Sequence, residues 1–201
     1  NPVDPYAISK VAAEQVLINL CELNKIEWVI AVPHNIIGPR QKYDDPFRNV
    51  VSIMTNLILQ NRRPIIYGDG KQTRNFSDVD DCLYCLDKLV TNKEIVFETF
   101  NIGPDEESIT INELYKMLSN KLQFNQPAQY HDDRPNEVKH AVCSSNKARK
   151  YLGYKTSVNL SDSVDKVINY IKSKGPRKFE YNYKLEIKNE LTPSTWKNKE
   201  F

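Results

Sequence analysis

The sequence predicts an α/β protein from three observations. Its opening stretch has the residues of a helix, and after a short turn the nearly continuous apolar run from Glu27 to Val32 is typical of a buried parallel strand. A helix, a short turn and a buried strand form half of an α/β unit. Of the 201 residues, 40% are hydrophobic and 27% are charged, which allows a core of useful size in one or two domains.

The opening helix is predicted from Pro5 to about Leu23. Asp4 can cap its free amide groups, and Pro5 fits the first helical position, where no N–H is needed. Tyr6 and Lys10 then share one helical face, and the ammonium charge favours the phenolate form of the tyrosine, which could act as a base. The same spacing recurs at four other places in the chain, so the pair alone is weak evidence and favours a solvated lysine beside an amphipathic tyrosine.

Apolar periodicity and capping signals predict the remaining elements. Further helices are predicted over Phe47 to Asn61, after Ser77 or Asp78, from Thr110 with a capping box, from Ser144 or Ser145 to Leu152, and from a Ser161 cap to Gly175. Short strands are predicted at Pro64 to Tyr67, Thr73 to Phe76, Glu98 to Ile102 and Ala128 to Tyr130, with a turn at Gly68 to Gly70. Strict alternation from Phe179 to Lys188 is a half-buried strand pattern, which predicts an edge strand or an extended segment lying on its own domain, with an intersubunit clasp as the alternative.

Charge and cysteine usage argue against several functional classes. Lys and Arg (28) nearly balance Asp and Glu (26), and no block of like charge suggests a nucleic-acid or membrane surface. No apolar run approaches a membrane span and no signal peptide begins the chain, so a cytoplasmic location is expected. Cys82 and Cys85 form a C-x-x-C without a second ligand pair, and they lie on an apolar helical face with Leu83, Leu86, Leu89 and Val90. We therefore expect core cysteines and no metal site.

The segment after the first predicted strand is a candidate ligand site. Ligands in open α/β sheets bind at the carboxyl ends of the strands, and Pro33 to Arg40 leaves that end. Asn35 and Arg40 are therefore candidates to face a ligand.

Four sequence blocks then follow one another in order: PYAISKVAAEQ around Tyr6 and Lys10, VPHNIIGPRQ around Asn35, IIYGDGKQTRNFSDVDD around Arg74, and DDRPNEVKHAVCSSNKARKYLGY around Arg134. Together they resemble the NAD-dependent epimerase/dehydratase family of extended short-chain dehydrogenases/reductases, the group that includes UDP-glucose 4-epimerase. The resemblance implies the C-terminal part of an extended SDR Rossmann-type fold with a small α/β substrate-binding domain.

The resemblance implies roles for three residues around the cofactor NAD. Tyr6 would remove a proton from a sugar hydroxyl as hydride passes to the nicotinamide. Lys10 would bind the nicotinamide ribose and keep the tyrosine acidic. Pro33 would lie near the nicotinamide ring.

On the substrate side, the resemblance implies a nucleotide-sugar ligand, most simply a UDP-sugar. Asn35 would lie near its diphosphate, Tyr67 near the base and Glu137 near the ribose, while Arg74 and Arg134 would clamp the diphosphate. A diphosphate needs charge-assisted donors, which guanidinium groups provide in a bidentate geometry. For either arginine alone, a structural salt bridge is the alternative.

The glycine-rich turn that receives a dinucleotide is absent from these residues, since Gly68 to Thr73 lacks the third glycine. We therefore expect the carboxyl-terminal portion of a longer enzyme. Residues 1–40 would end the dinucleotide-binding domain, residues 41–175 would be mainly the substrate-binding domain with segments returning to the Rossmann core, and residues 176–201 would form an extended tail. The first helix and strand would then expose surfaces that a missing Rossmann half or a complementing chain covers, and the chain alone would be unstable. A homodimer is implied by the resemblance.

The leading hypothesis is an NAD-dependent nucleotide-sugar epimerase of the 4-epimerase type. A 4,6-dehydratase or a decarboxylase of the same family is the first alternative. A truncated, non-catalytic paralogue acting as a binding or assembly partner is the second. A generic α/β binding domain would differ by placing Arg74 and Arg134 far apart.

Overall fold

Helices and short strands alternate along the chain, which confirms the predicted α/β class. The computed structural model describes residues 2, 5–106, 108–135 and 137–201. Its helices are α1 (Pro5–Leu23), α2 (Val50–Leu59), α3 (Val79–Thr91), α4 (Ile111–Leu122), α5 (Asn146–Leu152), α6 (Leu160–Lys174) and α7 (Ser194–Lys197). Its strands are β1 (Val29–Pro33), β2 (Ile36–Ile37), β3 (Ile65–Tyr67), β4 (Thr73–Arg74), β5 (Ser77–Asp78), β6 (Glu98–Ile102), β7 (Ile109–Thr110), β8 (Gln129–His131) and β9 (His140–Ala141).

Parallel pairing dominates the sheets. Strand β1 pairs with β6 from Val29 opposite Glu98 to Pro33 opposite Ile102, β2 pairs with β5, and β3 pairs with β8, all in parallel. Strand β4 lies between antiparallel β7 and parallel β9. Parallel pairing brings the carboxyl ends of β1 and β6 to one edge, from which the segment containing Asn35 continues.

The main core surrounds helix α2, which packs against α4 and α6. Asn49 begins α2 by accepting a hydrogen bond from the Val51 amide at 2.9 Å. The buried apolar side chains between the helices include Val51, Met54, Ile58, Leu114, Leu118, Val164, Val167, Ile168 and Ile171. Burial of each such side chain contributes about 1.5–3 kcal/mol to folding, so helix α2 is held in place by this core.

Helix α3 buries a narrower face than the sequence predicts. Cys82, Cys85 and Leu89 are buried against β6 and α5, which confirms that the cysteines are core residues. Burial raises the pKa of Cys82 to about 12 and that of Cys85 to about 11, so both remain neutral thiols. Leu83, Leu86 and Val90 are exposed instead, because each lies to one side of the buried stripe around the helix.

Helix α1 has the predicted bounds but no buried residue. The Asp4 cap proposed for it lies outside the described residues. Its large apolar side chains are exposed, and they include Ile8, Val11, Val16, Leu17, Leu20 and Leu23. Strand β1 pairs with β6 alone among the described strands. Both surfaces are therefore open, as expected from the sequence.

Several predicted boundaries are correct and others need correction. Strand β6 and the Thr110 capping box are as predicted. The predicted strand from Thr73 to Phe76 is shorter, since β4 covers only Thr73–Arg74, and Ser77–Asp78 form the separate strand β5, which pairs with β2. The predicted Ser161 cap is wrong: the Asn159 side chain accepts from the Asp162 amide at 2.9 Å, and α6 begins at Leu160.

Helix α2 starts three residues later than predicted because Asp45 holds the preceding segment in a loop. Its carboxylate accepts from the Phe47 amide at 2.9 Å and pairs with Arg48 at 3.0 Å. Before α5, Ser145 donates its hydroxyl to the Gly103 carbonyl and makes no side-chain cap.

Residues Phe179 to Lys188 do not form the edge strand, and the extended segment predicted as its alternative is what the structure shows. This segment is extended without a strand partner, and the chain then forms the short helix α7. The alternating aromatic side chains contact another ring instead of a sheet neighbour, since Tyr181 and Tyr183 lie 6.4 and 6.3 Å from Phe47 between ring centroids. Side-chain packing therefore replaces the predicted strand pairing. No helix in the described part of the chain is both long and apolar enough to cross a membrane.

Candidate active site

A cleft of about 370 Å³ brings together five residues that the sequence analysis selected. Its lining includes Asn35, Tyr67, Arg74, Arg134 and Glu137, which come from segments far apart in the sequence. The volume lies in the range of small-molecule sites. The two arginines therefore share one cleft, which contradicts the generic α/β hypothesis that placed them far apart.

A second, larger cavity of about 780 Å³ has a different character. The charged side chains in its lining are Glu106 and Glu113, both acidic. An anionic ligand is therefore favoured in the smaller, cationic cleft.

Arg74 is fixed on one side of the cleft by an ion pair. Strand β4 carries it, and its Nη2 lies 3.1 Å from Glu137 Oε1 while its Nη1 donates to the Thr73 carbonyl at 2.8 Å. Burial lowers the pKa of Arg74, the nearby charge of Arg134 lowers it further, and Glu137 partly offsets both effects. Glu137 Oε2 is buried without a hydrogen-bond partner among the described residues. The Arg74–Glu137 ion pair thus leaves Glu137 Oε2 unsatisfied by any described residue. Arg74 and Arg134 face the same cleft.

Arg134 is held by aromatic rings. Its guanidinium carbon lies 5.5 Å from the centroid of Tyr67 and 5.1 Å from that of Trp196. Within the described part of the chain, no ion pair joins it to a carboxylate. Stacking engages the faces of a guanidinium and leaves its N–H edges free, so Arg134 is available to an anion.

Asn35 presents an amide group to the cleft from a left-handed turn with φ of 42°. Its Nδ2 donates to the Asn75 carbonyl at 2.9 Å and lies 3.1 Å from His34 Nε2. That histidine nitrogen is also 3.1 Å from the Ala141 carbonyl, which can only accept, so Nε2 carries a proton. The Asn75 carbonyl and the His34 ring therefore fix the orientation of the Asn35 side chain at the cleft.

The remaining selected residues lie away from this cleft. Tyr6 and Lys10 lie on the open face of α1, with Lys10 Nζ 5.3 Å from the Tyr6 ring centroid and the Tyr6 side chain 71% exposed. Pro33 is exposed at the end of β1. Arg40 is exposed with φ of 68° and does not line the cleft. The structure thus brings the predicted substrate-binding residues together, except Arg40, and places the predicted catalytic pair on a separate surface.

Sequence reasoning missed the aromatic side of the cleft. Phe47 contributes from the loop before α2, and Thr195, Trp196 and Phe201 contribute from the carboxyl-terminal segment. No local pattern marks these residues, because their contacts are long-range: Trp196 meets Phe47 and Thr195 meets Tyr67, both pairs more than one hundred residues apart. Arg48 also lines the cleft but is paired with Asp45. No group of three or more His, Cys, Asp or Glu side chains that could hold a metal occurs in the described ranges.

The fold and the cleft together define an α/β protein with a cationic site for an anionic ligand. A family model described as GDP-mannose 4,6 dehydratase matches residues 1–167. The chain therefore belongs to this family of NAD-dependent epimerases and dehydratases, within the extended short-chain dehydrogenases/reductases.

Similar proteins include both epimerases and dehydratases. A putative UDP-glucose 4-epimerase of Methanocaldococcus jannaschii is 35% identical over 176 residues, which cover 86% of this chain and 55% of that protein. A dTDP-D-glucose 4,6-dehydratase of Dictyostelium discoideum is 26% identical over 208 residues, covering 86% of this chain and 46% of the relative.

A solved structure extends the similarity to the fold. The crystal structure of UDP-glucuronic acid 4-epimerase from Bacillus cereus, in complex with UDP-glucuronic acid and NAD, matches with a TM-score of 0.80 and 28% identity over 87% of this chain and 55% of that one. The chain spans about half the length of the curated relatives it matches. Its fold corresponds to the carboxyl-terminal part of the extended SDR fold.

Proposed function

We propose that this chain forms the substrate-binding part of an NAD-dependent nucleotide-sugar epimerase of the 4-epimerase type. The observation that carries the proposal is the convergence of Arg74 and Arg134 on one cleft, where Arg134 has no acidic partner among the described residues. Two guanidinium groups facing one space repel each other, and a diphosphate between them removes that repulsion.

The other cleft residues suit the rest of a nucleotide sugar. Asn35 would contact the diphosphate and Tyr67 would lie near the base, and both side chains line the cleft. A ribose hydroxyl would satisfy the unpartnered Oε2 of Glu137. Because Glu137 also pairs with Arg74, ribose and diphosphate recognition would be coupled through one ion pair.

The proposed chemistry belongs to α1 and the end of β1. Tyr6 would take the proton from a sugar hydroxyl, and Lys10 would stabilise the phenolate and bind the nicotinamide ribose. NAD, when bound, supplies a hydride acceptor. The exposed Tyr6, Lys10 and Pro33 can meet its nicotinamide end, since none of these side chains is buried beneath another element.

The adenosine end of NAD needs a surface that the described residues do not provide. A glycine-rich turn leading into a helix is the usual receptor for the pyrophosphate, and the turn at Gly68 to Gly70 leads into the short strand β4 instead. We therefore include in the proposal a Rossmann half or complementing chain that covers α1 and β1, and a homodimeric enzyme.

The relatives support epimerisation first and dehydration second. The relative at 35% identity and the Bacillus cereus structure are named as 4-epimerases, whereas the Dictyostelium relative is named as a 4,6-dehydratase. Product mass separates the two activities. An epimerase returns a UDP-sugar of unchanged mass, whereas a dehydratase returns one lighter by one water.

Isothermal titration of the purified protein with UDP tests the binding part of the proposal. Arg134→Ala removes a charge-assisted contact and should weaken UDP binding by about tenfold or more, equivalent to roughly 1.5–3 kcal/mol. The matched control is Arg63→Ala, because Arg63 lies outside the cleft and donates to the carbonyls of Pro127 and Ala128. A folded protein that does not bind UDP, or equal losses in the two variants, would contradict the proposal and favour a non-catalytic partner.

A further inference from the structure

We propose that the carboxyl-terminal segment, residues 177–201, is a working wall of the nucleotide cleft, and that Trp196 is a positioning residue that holds Arg134 for the phosphate groups. The inference rests on the proposed function, since it assigns the ligand of Arg134 as a nucleoside diphosphate. The segment lies beyond residues 1–167, which the family model matches, so the family pattern gives Trp196 no role.

Both ends of the segment are fastened to the body of the protein. At its start, Arg177 and Asn56 exchange two hydrogen bonds, with the Asn56 amide donating at 2.8 Å and the Arg177 amide donating at 3.0 Å. At its end, Arg62 donates to the Glu200 carbonyl at 3.0 Å. Since Asn56 belongs to the buried helix α2, the segment is anchored on the most firmly packed part of the fold.

Helix α7 fixes the aromatic side of the cleft through Thr195. The Thr195 hydroxyl lies 2.6 Å from the Tyr67 hydroxyl, and the Thr195 amide donates to that same hydroxyl at 3.3 Å. Thr195 is 1% exposed, so these bonds are shielded from water. The tail therefore sets the orientation of the Tyr67 ring, which is one of the two rings that contact Arg134.

Trp196 provides the second ring and is itself held in place. Its Nε1 donates to the Pro46 carbonyl at 3.3 Å, and its ring centroid lies 5.0 Å from that of Phe47. Arg134 thus lies near two fixed aromatic rings. A carboxylate partner would occupy the N–H edges of the guanidinium, whereas aromatic faces orient it and leave those edges for phosphate oxygens.

The tail lines the cleft without filling it. About 370 Å³ remains open while Thr195, Trp196 and Phe201 are in place. If residues 177–201 filled the cleft, they would have to move before a ligand could bind. Because they only line it, a ligand can bind while they stay in place. Disrupting the tail at Trp196 should therefore weaken nucleotide binding.

Titration with UDP of Trp196→Leu and Trp196→Phe tests the inference. Leucine keeps apolar volume but removes the aromatic face, so UDP affinity should fall about three- to tenfold, whereas phenylalanine should keep it within about twofold. The matched control is Tyr183→Ala, because Tyr183 also contacts Phe47 but does not line the cleft. Circular dichroism melting confirms that each variant is folded; if the leucine variant does not fold, phenylalanine is compared with Trp196→His.

A double-mutant cycle distinguishes positioning of Arg134 from a general effect on the cleft. If Trp196 acts through Arg134, then adding Trp196→Leu to the Arg134→Ala variant should lower UDP affinity little further. An equal loss in both backgrounds, or tighter UDP binding by Trp196→Leu, would overturn the inference. If Trp196→Leu binds UDP with unchanged affinity while Arg134→Ala binds it more weakly, the inference is overturned and the proposed function stands. If the parent protein binds no UDP, both fall together.

Discussion

Helix α1 is exposed to solvent, whereas helix α2 is largely buried. None of the 19 residues of α1 is buried, although it carries many large apolar side chains. Eight of the 10 residues of α2 are buried, and Val51, Met54 and Ile58 among them pack with α4 and α6. The difference shows that apolar content alone does not place a helix in a core, because a neighbouring element must be present to cover it.

The two helices also divide the proposed site. Ile53 and Met54 of α2 line the cleft, so the proposed diphosphate site lies directly on the main core. Tyr6 and Lys10 of α1 lie on an open surface. The proposed binding residues are thus preorganised by the fold, whereas the proposed catalytic pair lies on an exposed helix face. Binding and turnover should accordingly respond to different substitutions.

The largest expected effect comes from removing the Tyr6 hydroxyl. In a preparation that turns over a nucleotide sugar as proposed, Tyr6→Phe should lower kcat by at least about 100-fold, because the proposed acid/base group is lost. UDP affinity should stay within about twofold, since Tyr6 does not line the cleft. Turnover assays and UDP titration measure the two quantities separately. A parallel loss of UDP binding would show that the α1 surface and the cleft are not independent.

A matched pair of leucines tests the contrast in packing. Leu57→Ala in α2 removes a side chain that is 1% exposed and should lower the free energy of unfolding by about 2–5 kcal/mol. Leu20→Ala in α1 removes one that is 53% exposed and should change it by no more than about 0.5 kcal/mol. Urea denaturation followed by circular dichroism gives both values. Similar costs at the two positions would mean that the α1 face is covered in solution.

Local signals predicted much of this fold. The Thr110 capping box, the bounds of α1 and the buried stripe with Cys82 and Cys85 each depend on residues within about one helical turn of one another. The fold class and the cluster of Asn35, Tyr67, Arg74, Arg134 and Glu137 were also anticipated, but the cluster came from the family resemblance. Periodicity alone could not have joined those segments.

The errors share a different cause. Alternation in Tyr181 and Tyr183 predicts a strand, yet their rings contact Phe47 and no strand pairs with them in the described ranges. Trp196 meets Arg134 only because the tail turns back across the cleft, a tertiary arrangement with no sequence signature. Asn159 and Ser161 are both residue types that cap helices well, so the sequence does not choose between them. In the structure Asn159 caps α6, which begins at Leu160.

The smallest expected effect is a pH dependence of the free energy of unfolding, which arises from His34. Burial holds the pKa of His34 below its ordinary value of 6.5, the Arg74 charge lowers it further, and the hydrogen bond to the Ala141 carbonyl partly opposes both. The unfolded chain therefore binds a proton that the folded chain does not as pH falls through about 6.5 toward the lower folded pKa. Stability should decline over that window.

His34→Gln isolates this effect, because glutamine can still donate to the Ala141 carbonyl but does not titrate. Urea denaturation at about pH 7.5 and about pH 5.5 should show a larger loss of unfolding free energy in the parent protein than in His34→Gln. Titrating carboxylates contribute equally to both proteins and cancel in the difference. Equal losses would mean that His34 takes up its proton as readily in the folded protein as in the unfolded chain. A further positive charge would then lie close to Arg74, which lines the cleft, and it would favour an anionic ligand there as the pH falls.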